Sequence, residues 1–153
     1  MEVMKNKVFV IAVAIVFGAA ALMLATGSVA GTKVDDVIKM QAGYPHTKGI
    51  VEFTHKKHAT DYKIGCGDCH HDDKGKPLAG LKDGDAVKSC FECHNKPGEL
   101  KGKDATGKSK KEKLEYHANA MHDNCIGCHK EWNQKNNSKN APTTCAKCHP
   151  GKE

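Results

Sequence analysis

The sequence has no arginine and few aromatic side chains, 5% of 153 residues. All 24 basic residues are lysine, set against 18 acids. Nucleic-acid modules interleave basic and aromatic residues, so the shortage of aromatics argues against that class of partner. Large apolar side chains are scarce too once the first 30 residues are set aside. Residues 31–153 hold sixteen Val, Ile, Leu, Phe and Met, too few for an ordinary core in a chain of that length. Composition alone therefore implies disorder, or a scaffold held together by something other than side-chain packing.

What the sequence does have is eight cysteines, all in one repeated pattern. Cys66-Gly67-Asp68-Cys69-His70, Cys90-Phe91-Glu92-Cys93-His94, Cys125-Ile126-Gly127-Cys128-His129 and Cys145-Ala146-Lys147-Cys148-His149 each read C-x-x-C-H. This is the attachment signature for a c-type haem. Two thiols add across the vinyl groups of one haem, and the following histidine becomes an axial ligand of its iron. Zinc or an iron–sulfur cluster would need the pairs to converge two by two, and gives no reason for a histidine after every second cysteine. A disulfide framework leaves the histidines equally unexplained, and a thioredoxin-like site needs a strand–helix–strand pattern that is missing. The expectation is four covalent c-type haems with their iron, supplying the absent apolar core and cross-linking the chain.

Residues 1–30 read as an export leader. Lys5 and Lys7 form a basic start, Val8 to Ala25 is an apolar run broken by Gly18, and Ser28-Val29-Ala30 offers small residues for cleavage after Ala30. The rival reading is a retained anchor, because the run is just long enough to span a bilayer. Both readings place residues 31–153 outside the cytoplasmic membrane as a single domain, and the periplasm is the expected compartment.

Within that domain, residues 31–54 read as an extended and irregular start, with a turn at Lys48-Gly49 and a short strand over Ile50-Val51-Glu52-Phe53. His55 and His58 are three residues apart and share a face if that segment is helical. Residues 78–85 read as a loop, and residues 96–113 as a solvated lysine-rich stretch. Ser109-Lys110-Lys111-Glu112 fits a capping box and predicts a helix to about Asp123, with Leu114, Ala118, Met121 and His122 on one side. Asn133 to Asn140 reads as a polar loop.

Ten histidines less four in the motifs leaves His46, His55, His58, His71, His117 and His122. Only Met40 and Met121 follow the leader. So many spare histidines beside four haems point to bis-histidine ligation, with two to spare.

Phe53-Thr54-His55-Lys56-Lys57-His58, Cys66-Gly67-Asp68-Cys69-His70-His71, and Met121-His122-Asp123 just before Cys125 together resemble the class III tetrahaem cytochromes c. These are low-potential carriers of sulfate- and sulfur-reducing bacteria. The resemblance covers essentially all of residues 31–153. It implies a small, mainly α fold with much irregular structure, a haem core and a short N-terminal two-stranded sheet. It also implies the ligand pairs: His55 with His70, His71 with His94, His58 with His129, and His122 with His149. His46 and His117 are left as bystanders, facing solvent or a backbone group. Well-known members have C-x-x-x-x-C-H at the second and fourth sites, where this chain has C-x-x-C-H.

Ligand order implies wiring, since adjacent His70 and His71 serve different haems, as do His55 and His58. A six-coordinate iron has no open position, which makes the chain an electron carrier and not an enzyme. Residues 31–153 carry 22 lysines against 17 acids, a balance of +5. Lys130, Lys135, Lys139, Lys147 and Lys152 flank the third and fourth motifs. In the family such a ring docks acidic redox proteins, so the expected partners are periplasmic hydrogenase or formate dehydrogenase and membrane-bound cytochrome complexes. A monomer touching the membrane only transiently is expected, unless the leader is retained. The alternative is a subunit of a multihaem reductase of metals or small oxyanions, which would need a five-coordinate iron.

Overall fold

The computed structural model describes residues 34–151. The leader reading of residues 1–30 and the lysine at 152 lie outside them. Among the described residues only Ala42, Ala120 and His117 are buried, and no side chain is completely enclosed. The chain thus folds without a side-chain core, as its shortage of apolar residues requires.

Strand β1 (Ile38–Lys39) pairs antiparallel with β2 (Glu52–Phe53), Ile38 opposite Phe53 and Lys39 opposite Glu52. The Met40 N–H donates to the Val51 carbonyl at 2.9 Å and extends the ladder by one bond. The strand expected over residues 50–53 narrows to its last two residues. Helix α1 (His55–Thr60) follows directly, and a 3₁₀ turn spans Cys66–Asp68. The Asp72 carboxylate then accepts the N–H groups of Lys74 and Lys76, each at 2.9 Å, closing a tight turn that returns Pro77 beside His71. Helix α2 (Cys90–Cys93) starts at a capping box in which the Ser89 N–H donates to the Glu92 carboxylate at 2.7 Å. No described helix is long and apolar enough to cross a membrane.

The helix expected from Ser109 to Asp123 is in fact two. Its capping box is present: the Ser109 N–H donates to Glu112 Oε2 at 2.9 Å, and the Glu112 N–H to Ser109 Oγ at 3.2 Å. Helix α3 (Lys110–Leu114) ends there, Tyr116 turns extended, and α4 (His117–Lys135) begins. The cause is the lysine-rich stretch before it. Lys96–Leu100 lies against the break as a strap, with Lys96 bridged in parallel to Tyr116. The carbonyls of Lys96 and Gly98 accept the N–H groups of His117 and Ala118 at 2.9 and 3.0 Å. Those N–H groups would otherwise be unpaired at the start of α4, so the strap supplies a cap that sequence periodicity cannot show.

Helix α4 also runs twelve residues beyond Asp123, because the third C-x-x-C-H motif is itself helical and sits inside it. It ends at Lys135; just past its cap Asn137 takes a φ of 44°, which the helix cannot continue through, and the Ser138 N–H donates back to the Asn133 carbonyl at 2.8 Å. Asn133 then clamps the returning loop: its amide donates to the Ala141 carbonyl at 2.9 Å and its oxygen accepts the Ala141 N–H at 3.1 Å. Helix α5 (Cys145–Cys148) closes the described chain.

Candidate haem-binding sites

Each motif occupies one helical turn. The 3₁₀ turn, α2 and α5 each begin on a first motif cysteine, and the histidine N–H returns to that cysteine's carbonyl. These bonds are 2.8 Å for His70 to Cys66, 2.9 Å for His94 to Cys90 and 2.8 Å for His149 to Cys145. The third motif takes the same geometry inside α4. Residues three apart on such a turn lie on one side, so both thiols of a motif present to the same space.

The motif histidines are brought to four of the six other histidines. His55 and His70 have ring centres 6.4 Å apart, His71 and His94 5.8 Å, His58 and His129 6.3 Å, and His122 and His149 6.4 Å. Two imidazoles bound to one metal through Nε2, with metal–nitrogen bonds of about 2.0 Å, have ring centres about 6.2 Å apart. The spacing therefore fits one iron per pair. Among the described residues no three His, Cys, Asp or Glu side chains converge to hold a metal ion. Two imidazoles on opposite sides of one iron are what a haem, which supplies the other four ligands, would take.

Hydrogen bonds fix which nitrogen faces the gap. Nδ1 of His58 donates to the Thr54 carbonyl at 2.9 Å, of His71 to Asp72 at 2.8 Å, of His129 to Pro142 at 2.6 Å and of His149 to Gly49 at 2.8 Å. Nδ1 of His94 donates to the Leu114 carbonyl in the same way. A carbonyl can only accept, so the proton is on Nδ1 and the Nε2 lone pair is free for a metal. His122 differs: its Nδ1 lies 3.3 Å from Glu99 Oε1, a carboxylate. Gly49 is required at its position, because a β-carbon there would overlap the Pro150 carbonyl. That close approach brings the Gly49 carbonyl to His149.

All eight cysteines are unpaired. Desolvation, with the neighbouring thiols of Cys69, Cys148, Cys90 and Cys128, pushes the Cys125 thiol up to about 11. Desolvation also raises Cys69, Cys90 and Cys148. Cys125 is nevertheless exposed to water. Raised thiols are the opposite of what a thiol–disulfide catalyst needs. Desolvation, followed by His55 and His71, lowers the His70 pKa and favours its neutral, ligating form.

The two surplus histidines behave differently from each other. His46 Nε2 lies 3.2 Å from both the nitrogen and the oxygen of Ala42, a backbone partner as expected. His117 departs from expectation. It is 7% exposed, and its Nδ1 meets the Tyr44 hydroxyl at 3.1 Å. Tyr44 also stacks on His46 at 5.0 Å, and Phe91 stands edge-on to His117 at 5.4 Å. Sequence reasoning missed Tyr44, Glu99 and Asn133. Their partners lie 73, 23 and 8 residues away, with no local pattern to mark them.

Lys96, Lys101, Lys108 and Lys110 are ion-paired with Glu115, Glu99, Glu112 and Asp123. Lys130, Lys135, Lys139 and Lys147, around the third and fourth motifs, are exposed and form no ion pair among the described residues. Residues 124–151 hold these four lysines against one acid, Glu131, so net positive charge gathers at that end of the sequence.

Residues 31–149 match the model of the Class III cytochrome C family. "Cytochrome c3" of Desulfovibrio desulfuricans is 35% identical over 118 residues, covering 76% of this chain and 93% of that protein. "Cytochrome c3" of Maridesulfovibrio salexigens is 35% identical over 125 residues, covering 78% of this chain and 95% of that protein. The chain belongs to the class III cytochrome c family. It is accordingly a multihaem electron-transfer protein with covalently bound c-type haem, and it exchanges electrons with redox partners. The small, helix-rich and irregular fold with its two-stranded sheet is the one that family implies.

Proposed function

We propose that this chain is a periplasmic low-potential electron carrier with four c-type haems, exported by residues 1–30, with residues 31–153 as one domain. The observation that carries this reading is the set of four imidazole pairs, each joining one motif histidine to one other at the width of a single metal atom. Cys66 and Cys69, Cys90 and Cys93, Cys125 and Cys128, and Cys145 and Cys148 form the thioether links. His55 and His70, His71 and His94, His58 and His129, and His122 and His149 are the axial ligands.

A c-type haem so held supplies one-electron exchange between ferric and ferrous iron and makes no bond to a substrate. The chain's residues set the conditions. Their Nδ1 hydrogen bonds hold the rings in one tautomer and orientation. Imidazole, not a methionine thioether, faces every motif histidine, which keeps the potential low. The reductase alternative needs a motif histidine with no ring opposite, and each has one. The unpaired Lys130, Lys135, Lys139 and Lys147 present positive charge to acidic partners such as a hydrogenase, a formate dehydrogenase or a membrane cytochrome complex, steering their approach.

Intact mass and a visible spectrum of the reduced holoprotein, with and without carbon monoxide, test the reading. The expected result is four haem additions on a chain beginning at Gly31 and a low-spin spectrum unchanged by carbon monoxide. Three additions, or a spectrum altered by carbon monoxide at native pH, contradicts it.

A further inference from the structure

The inference here rests on the reading of His122 as a ligand. Five of the proposed ligands hand their Nδ1 proton to a neutral backbone carbonyl, and His122 alone hands it to a carboxylate. That carboxylate is held in place. The Ala118 N–H donates to the Gly98 carbonyl at 3.0 Å, just before Glu99. Just after it, the Leu100 N–H donates to Asn119 Oδ1 at 2.7 Å, and Asn119 Nδ2 donates to the Leu100 carbonyl at 3.1 Å. The backbone is therefore fixed to α4 on both sides of Glu99. Asn119 and His122 are three residues apart on that helix and share a face. The second oxygen of Glu99 accepts Lys101 Nζ at 2.9 Å. The side chains of Glu99 and His122 are 34% and 40% exposed, so solvent screens their contact only in part.

We propose that Glu99 is a positioning residue that strengthens His122 as an electron donor and makes the haem of the His122–His149 pair harder to reduce than a carbonyl partner would. A carboxylate draws the Nδ1 proton more strongly than a carbonyl does, and shifts negative charge onto Nε2. Added charge on the ligand stabilises ferric over ferrous iron. Lys101 opposes this by withdrawing charge from the same carboxylate. The strap between Lys96 and Leu100, which reads in sequence as part of a solvated lysine run, thus reaches the His122–His149 pair through Glu99.

The test is the set of individual haem midpoint potentials in the holoprotein, followed by NMR during stepwise reduction. Glu99→Gln should keep all haems attached and low-spin. It should raise one midpoint by about threefold or more in the oxidised-to-reduced ratio, ~30 mV for a one-electron couple. Lys101→Met should move the same haem the opposite way. Glu99→Asp keeps the charge but withdraws it by one methylene, so a shift of the same sign as in Glu99→Gln is expected. An Asp variant at the parent potential would leave only a general charge effect and overturn the ligand-donor role. His122→Ala separates the two levels of the argument. If His122→Ala opens one haem to carbon monoxide while Glu99→Gln moves no potential, the Glu99 inference fails alone. If His122→Ala leaves every haem closed to carbon monoxide, the ligand assignment fails and this inference with it.

Discussion

Two groups of rings in this molecule use histidine in opposite ways. In the Tyr44, His46, Phe91 and His117 cluster, rings crowd together with centres 5.0 to 5.9 Å apart, and His117 is buried with Nδ1 turned onto the Tyr44 hydroxyl. In the four histidine pairs each ring has a single imidazole opposite it, and five of the eight turn Nδ1 outward to a backbone carbonyl. In the first group only His117 is buried, bonded to the Tyr44 hydroxyl, while His46 turns to the Ala42 backbone. The second keeps a free lone pair on the inner nitrogen. An Nδ1 turned onto a backbone carbonyl thus marks five of the paired histidines, and an Nδ1 turned onto a tyrosine hydroxyl marks His117.

The largest way to break this contrast is to remove the thiols of one site. Cys125→Ala with Cys128→Ala should cost one haem by mass and abolish cooperative unfolding by circular dichroism, because no side-chain core remains to hold α4. A variant that loses the haem and unfolds like the parent would show that the haem is not the core.

His122→Met should raise the potential of one haem and leave its attachment intact, since a thioether ligand favours ferrous iron. His117→Met should leave all four midpoints in place. Voltammetry of the two variants decides between them, and a potential shift confined to His117→Met reverses the roles assigned here.

Smaller effects belong to the aromatic cluster. His117→Ala should destabilise the holoprotein by about 2 kcal/mol, from the emptied space and the unpaired Tyr44 hydroxyl. The visible spectrum should not change. Denaturant melts monitored at the haem band measure both.

The smallest effect is a pH slope. Desolvation, followed by His46 and His94, lowers the pKa of His117 from its ordinary 6.5. Below pH 6.5 the unfolded chain then binds a proton that the folded chain resists, so stability falls as pH drops through and below that value. His117→Phe should flatten the slope between pH 5 and 6.5.

How much of this was legible in the sequence depended on distance along the chain. The His55–His58 face and the Ser109–Glu112 capping box involve residues three apart, and each is where local reasoning put it. The split between α3 and α4 was not legible. Ser109 to Asp123 has good helical periodicity, but Lys96 and Gly98 offer their carbonyls to His117 and Ala118 and win the contest at Tyr116. Likewise His117 reads as a bystander until Tyr44, 73 residues earlier, is seen at its Nδ1. The carbonyl that orients His149 comes from Gly49, 100 residues away. The histidine pairing came from family resemblance and not from spacing, because no local rule joins His58 to His129.

Anomalous diffraction at the iron edge, from crystals of the haem-loaded protein, tests the central claim most directly. The account predicts four iron peaks, one between the rings of each pair: His55 and His70, His71 and His94, His58 and His129, His122 and His149. An iron peak beside His46 or His117, with one of those eight histidines turned away, would contradict it.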